Sequence, residues 1–191
     1  MRSRALFLAA VAFVAVVGVV LLVGGSGSSG GKAKEDPAAA RAYGGAPPRL
    51  RALYGDRNQL LGGEATAFRE RIAQLRGYPI VVNKWASWCG PCRAEFPVFQ
   101  KAAIQQARQI AFVGVDASDN AGDARSFLSD FPLSYPSYSD PDLKVARTFN
   151  GVGSFPTTAF YDRNGKVAYV HQGPYESVAA LVRDVRRYAG A

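Results

Sequence analysis

Two cysteines, Cys89 and Cys92, are the only sulfhydryl residues in 191, and they are separated by Gly90 and Pro91 alone. Such a pair can pass two electrons to or from another disulfide through a mixed-disulfide intermediate. Two plainer uses fit poorly. Closing a loop of about four residues constrains the unfolded chain by only about 2 kcal/mol. A zinc site takes about four ligands, and the single histidine, His171, lies far along the chain. The flanking residues place the pair. Upstream, Pro79-Ile80-Val81-Val82-Asn83 is a β-branched run continuing into Trp85, which suits a strand covered on both faces. Downstream, Phe96, Phe99, Ala103, Ile104 and Ala107 recur at helical spacing. The cysteines therefore fall at a helix N-terminus, where unpaired N–H groups and the helix dipole favour thiolate over thiol. Cys89, at the cap, is expected to be the attacking nucleophile, and Cys92, one turn in, the shielded resolving thiol.

The elements that would position them follow from pattern. Residues 50–54 and 59–61, with turn formers at 55–58, suggest a small hairpin. Gly62-Gly63 breaks the chain before a helix over 64–76 carrying Phe68, Ile72 and Leu75 on one face. The active-site helix is expected over 91–109, kinked at Pro97. A second buried strand follows at 110–116, then a helix at 121–131, a turn-rich connection over 132–141, and a short helix over 141–149. Segments 157–162 and 166–171, joined at Asp162-Arg163-Asn164-Gly165, form a β-hairpin, and a helix over 175–189 closes the chain. Strands that alternate with helices and then pair as a hairpin imply an α/β fold with a mixed sheet and helices on both faces.

Residues 5–23 contain no charge and would span about 28 Å as a helix, close to the hydrocarbon thickness of a bilayer. Gly24-Gly25-Ser26-Gly27 makes a poor signal-peptidase site, so the segment reads as an uncleaved transmembrane anchor rather than a cleaved signal. Arg2 and Arg4 place residues 1–4 in the cytoplasm, and the rest of the chain would be exported. Residues 24–48, rich in Gly, Ser, Ala and Pro, read as a flexible linker. The net charge of +8 comes from scattered basic residues with no interleaved aromatic platform, which argues against nucleic-acid binding.

The motifs together carry a resemblance. Trp88-Cys89-Gly90-Pro91-Cys92, Pro97 and Phe155-Pro156-Thr157-Thr158 resemble a thioredoxin fold. Val82-Asn83-Lys84-Trp85-Ala86-Ser87-Trp88, Glu95-Phe96-Pro97 and the extra helix at 121–131 resemble, more narrowly, the TlpA/ResA-like membrane-tethered thiol-disulfide oxidoreductases. The resemblance covers residues 49–191, read as one thioredoxin-like domain with a TlpA/ResA-type helical insertion. It implies a cis Pro156 against the cysteines, with the Phe155 backbone offering strand-like hydrogen bonds to a partner. Trp88, Gly90, Pro91, Phe155 and Pro156 would form the substrate-binding surface. It also implies that Glu95 approaches the pair and takes the Cys92 proton, because Asn83 stands where thioredoxins bury an aspartate. Lys84 and Phe112 depart from the family pattern. Either lysine and aromatic have exchanged places on neighbouring strands, keeping a cation near the redox site, or Lys84 snorkels to the sheet end.

The function implied by the resemblance is that of a monomeric protein-disulfide reductase on the extracytoplasmic side of a bacterial cell membrane. It would act on exported proteins such as apocytochrome c, with a membrane thiol carrier as electron donor. No cofactor beyond the Cys89–Cys92 disulfide and no metal is implied. The alternatives are a disulfide-forming oxidase of exported thiols, which runs the same chemistry backwards, and a copper metallochaperone. A peroxidase lacks a separate peroxidatic cysteine.

Overall fold

A computed structural model describes residues 37–190 of the chain. Its centre is a six-stranded sheet in the order β1-β4-β3-β2-β5-β6. The strands are β1 (Leu60–Leu61), β2 (Ile80–Trp85), β3 (Ala111–Ala117), β4 (Ser137–Asp140), β5 (Thr157–Tyr161) and β6 (Val167–Gln172). β1, β4, β3 and β2 run parallel, while β5 is antiparallel to β2 and β6 to β5, so the sheet is mixed as expected. β2 and β3 are buried along their whole length, which is why both read as unbroken apolar runs rather than alternating ones.

The helices are α1 (Pro37–Gly44), α2 (Pro48–Gly55), α3 (Glu64–Gln74), α4 (Gly90–Gln105), α5 (Ala121–Asp130), α6 (Lys144–Arg147) and α7 (Val178–Asp184), the last running into a π-helical turn at Val185–Ala189. They cover both faces. Phe68 of α3 meets Tyr138 on the face that also carries Val115 and Lys84, and Phe96 of α4 meets Trp85 on the other. The helix expected at 121–131 is α5, with the Asn120 side chain accepting the N–H groups of Gly122 and Asp123 as its cap.

Three sequence expectations are corrected. Residues 37–48 are not tether: α1 buries Ala39 and Tyr43, and the Tyr43 ring stacks on Tyr54 at 4.8 Å. The Ala- and Pro-rich composition that resembles a linker here supplies small residues for close packing, with Pro48 in the first turn of α2. The expected hairpin at 50–61 is instead α2 followed by β1, which pairs in parallel with β4. Leu50, Leu53 and Tyr54 fall at helical spacing and are fully buried, so the apolar face of α2 overrides the turn formers that follow. The stretch 132–141 hides strand β4, whose Ser137 and Asp140 are polar residues buried among partners. The expectations for residues 1–36, the anchor among them, lie outside the described residues. Among the described residues no helix is long and apolar enough to cross a membrane.

Glycine is required where β3 passes β4. A Cβ on Gly114 would lie 2.1 Å from Ser137 Oγ and 3.1 Å from Trp85 Nε1, atoms that bond each other at 3.0 Å. At the other end of β3, the buried Tyr54 hydroxyl donates to the Ile110 carbonyl at 2.6 Å and ties α2 to the sheet. Tyr54→Phe leaves that carbonyl buried and unpaired. It is expected to lower stability by about 1–3 kcal/mol, read as a lower urea midpoint at unchanged slope; an unchanged midpoint would show that the α2 contact is not a stabilising one.

Candidate active site

Strand β2 ends at Trp85 and hands over, through Ala86, Ser87 and Trp88, to α4, whose N-cap is Cys89. The hand-over is gripped from the β3–α5 loop. The Ser87 N–H donates to Asp119 Oδ2 at 2.5 Å and the Trp88 indole N–H to the Ser118 carbonyl at 3.0 Å. Beneath it, the Trp85 ring packs against Phe96 and Phe127 with centroids 5.4 and 5.5 Å away. Gly90 and Pro91 open α4, where a missing proline N–H costs nothing, and Pro97 lies inside the helix as expected. α4 ends at Gln105, short of the expected 109, with Gln106 as its C-cap.

Cys89 and Cys92 form a disulfide with Cα atoms 5.3 Å apart. The Cys92 N–H donates to Cys89 Sγ at 3.1 Å, so the first sulfur occupies the position where an N-cap side chain receives a helix amide. That hydrogen bond and the dipole of α4 favour negative charge on Cys89 once the disulfide opens. Cys92 is completely buried and Cys89 almost so. The loop before β5 reaches Trp88, the neighbour of Cys89 in the chain. The Phe155–Pro156 bond is cis, as the resemblance implies, and Pro156 is buried with its carbonyl accepting the Gly173 N–H at 3.0 Å. The Phe155 ring lies 4.8 Å from the ring of Trp88, which is 59% exposed. The N–H and C=O of Phe155 have no hydrogen-bond partner among the described residues.

Glu95 sits one turn beyond Cys92 on α4 and is 1% exposed. Its Oε1 accepts from Asn83 Nδ2 at 2.7 Å and its Oε2 from the Tyr175 N–H at 3.0 Å. Asn83 is itself oriented by the Tyr135 hydroxyl, which donates to Oδ1 at 3.2 Å. Burial pushes the Glu95 carboxyl up to about 7, against the opposing pull of the Tyr175 and Asn83 donors. The structure thus brings Asn83, Glu95 and the cysteine helix into one network.

Lys84 fits neither sequence expectation. Val81 is the register partner of Phe112, and Lys84, three residues along, points to the opposite face of the sheet, so lysine and phenylalanine have not exchanged places. It does not snorkel either, since the whole residue is buried. Its ammonium donates to the Gly151 carbonyl at 2.5 Å and lies 3.7 Å from the Phe155 ring centroid. Burial pushes it down to about 8, partly countered by the Asp140 charge.

Sequence reasoning missed Asp116, the register partner of Trp85. It is fully buried and neither of its oxygens accepts a hydrogen bond; burial first, then the Asp119 carboxylate beside it, push it up to about 8. At neutral pH it holds a proton that it can share with Asp119. A lone acid at a strand end carries no sequence signal for this. Tyr175 was missed because its contribution is a backbone N–H. No group of three or more His, Cys, Asp and Glu side chains suited to a metal ion occurs among the described residues.

A disulfide at the N-cap of the helix that follows a central strand, with a cis proline before the neighbouring antiparallel strand of a mixed α/β sheet, defines a thioredoxin-like protein. Residues 69–185 match the Redoxin family, and the chain belongs to it. Within that family it is similar to the thiol-disulfide oxidoreductase ResA of Geobacillus thermodenitrificans, 31% identical over 54% of this chain and 59% of the relative. It is also similar to the thiol:disulfide interchange protein DsbE homolog of Paracoccus denitrificans, 37% identical over 49% of this chain and 50% of the relative. A solved structure of a secreted Mycobacterium tuberculosis disulfide oxidoreductase homologous to Escherichia coli DsbE has a TM-score of 0.53 at 27% identity, covering 60% of this chain and 85% of that one. The matches thus span 59% and 50% of the two curated relatives' own lengths.

The raised Glu95 carboxyl has a consequence for stability. Between its ordinary value and about 7 the folded chain holds a proton that the unfolded chain has lost, so stability falls as pH rises through that window and the penalty is complete above it. Glu95→Gln lacks this penalty. Relative to the variant, the oxidised wild type is expected to lose about 3 kcal/mol between pH 4 and pH 8 in urea denaturation; parallel pH profiles would contradict it.

Proposed function

We propose that the chain is a membrane-anchored thiol-disulfide oxidoreductase that reduces disulfides in exported proteins on the extracytoplasmic side of a bacterial membrane. The observation that carries the chemistry is the Cys89 sulfur at the α4 N-cap, with a carboxyl that titrates near neutrality one turn behind Cys92. The apolar run at 5–23 supports the anchor, and the similarity to ResA and DsbE-type relatives supports the substrate class. Apocytochrome c is the favoured substrate by that resemblance, and a membrane thiol carrier the favoured electron donor.

The positions of Cys89 at the helix cap and of Glu95 one turn beyond Cys92 support the following steps. The Cys89 thiolate attacks one sulfur of the partner disulfide; that bond breaks and the other partner sulfur leaves as a thiolate. The Cys92 thiol gives its proton to the Glu95 carboxylate and attacks Cys89 Sγ. The second partner sulfur leaves, the partner gains two electrons, and the chain is left with the Cys89–Cys92 disulfide. A dithiol donor then returns it to the reduced form. The unpaired N–H and C=O of Phe155 suit an extended partner strand, and by the resemblance Trp88, Gly90, Pro91 and Pro156 are the proposed remaining contacts with it.

In Cys92→Ala the first step occurs and the second does not. Incubation of the full chain carrying this substitution with a disulfide-linked peptide is expected to accumulate a mixed disulfide through Cys89, seen by intact mass. Cys89→Ala is expected to accumulate none. The reverse pattern, or no adduct in either variant, would contradict the assignment.

A further inference from the structure

A fully buried ammonium is costly unless a carboxylate pairs with it. Lys84 is fully buried, and among the described residues its ammonium is not within ion-pair distance of any carboxylate. The Asp140 charge acts on it, but both Asp140 oxygens already accept the N–H groups of Val145 and Ala146. The two contacts its ammonium makes lie on a single segment, the exit from α6 to the cis proline. It donates to the Gly151 carbonyl and lies against the face of Phe155. That carbonyl is held in place by close packing, since a Cβ on Gly151 would lie 2.1 Å from the Phe149 ring. The later part of the segment is closed separately, by the Thr157 hydroxyl donating to the Ser154 carbonyl at 2.6 Å.

Phe155 is thus clasped between two neighbours of opposite character, the Lys84 ammonium and the exposed Trp88 indole. The three form a chain of contacts, with the Lys84 ammonium 3.7 Å from the Phe155 ring centroid and the Phe155 and Trp88 rings tilted at 58° to each other, that runs from the buried lysine to the exposed indole. A cation held on a ring fixes the position of the ring, and the attraction is strongest where water is excluded. Among the described residues, Trp88 is the most exposed large hydrophobic side chain, at 59%. Lys84 also lies on the face of β2 opposite Asn83 and Glu95, apart from the proton-accepting network.

We infer that Lys84 is a positioning residue. It holds the Phe155–Trp88 platform in a docking-competent arrangement, and so selects partner polypeptides whose disulfide is flanked by an apolar or aromatic residue, without setting the reactivity of Cys89. The inference rests on the thiol-disulfide exchange reading above and names the substrate feature that such exchange would recognise.

The test compares full-length wild type, Lys84→Met, Lys84→Gln, Phe155→Leu and the Lys84→Met/Phe155→Leu double variant on two disulfides. One is a peptide with phenylalanine beside its disulfide-bonded cysteine; the other is glutathione disulfide, too small to use the platform. Lys84→Met is expected to raise KM for the peptide about tenfold with kcat nearly unchanged, while kcat/KM for glutathione disulfide and the reduction potential stay at the wild-type values. Phe155→Leu is expected to act in the same direction, and the double variant to be no worse than the poorer single one, because both remove one contact. Lys84→Gln keeps a donor for Gly151 without the cation and is expected to fall between; it decides the matter if the methionine variant does not fold. Equal losses on both disulfides, multiplicative effects in the double variant, or an unchanged peptide KM in Lys84→Gln would overturn the inference. Wild type that reduces neither disulfide would overturn the exchange reading itself, and this inference with it.

Discussion

β2 is buried at all six positions, yet its last three residues, Asn83, Lys84 and Trp85, each carry a polar group that has to be satisfied inside the protein. The way each is satisfied builds the site. Asn83 donates to Glu95 and so ties the sheet to the cysteine helix. Lys84 donates to Gly151 and ties it to the cis-proline loop. Trp85 donates to Ser137, which requires β3 to have glycine at position 114 and brings β4 close. Because side chains alternate across a strand, Asn83 and Trp85 serve one face and Lys84 the other. One strand end is therefore bonded both to Glu95 on the cysteine helix and to the loop that leads to the cis proline.

The same burial that holds these groups also tunes them. Glu95 and Asp116 are carboxyl groups on one face of the sheet, both pushed toward or above neutrality by removal from water. Their environments differ in kind. Glu95 has a hydrogen-bond donor on each oxygen, whereas Asp116 has none and faces the Asp119 carboxylate instead. Two donors lower the cost of the charged form, so Glu95 can switch protonation state at physiological pH. Asp116 remains an acid whose proton relieves repulsion with Asp119, and Asp119 in turn anchors the Ser87 amide in front of the cysteines. Carrying two such acids costs stability, as active sites commonly do.

Much of this was legible in the sequence because local chemistry and long-range packing agree there. The strand-to-helix hand-over at the cysteines, the hairpin at 157–172 and the apolar strands β2 and β3 follow from periodicity and turn formers alone. The resemblance added the cis Pro156 and pointed to Glu95. What escaped has identifiable causes. α1 looks like a linker because alanine and proline serve both for tethers and for close helix contacts, and only Tyr43 on Tyr54 distinguishes them. β4 is short and polar because its serines and Asp140 are paid for by tertiary partners no pattern records. The Tyr175 amide on Glu95 spans 80 positions and involves no side-chain type at all. The direction in which Lys84 points depends on strand register, which the sequence does not reveal near a sheet centre.

We propose a reducing role for Cys89–Cys92, with Cys89 at the α4 N-cap as the attacking thiolate and Glu95 as the proton acceptor near neutrality. The most direct measurement is the reduction potential of the pair in the full-length chain, by equilibration with defined thiol–disulfide buffers at pH 7. A value near that of thioredoxin, about −270 mV, is the predicted result. A value near that of DsbA, about −120 mV, would contradict it and make the protein an oxidant of exported thiols.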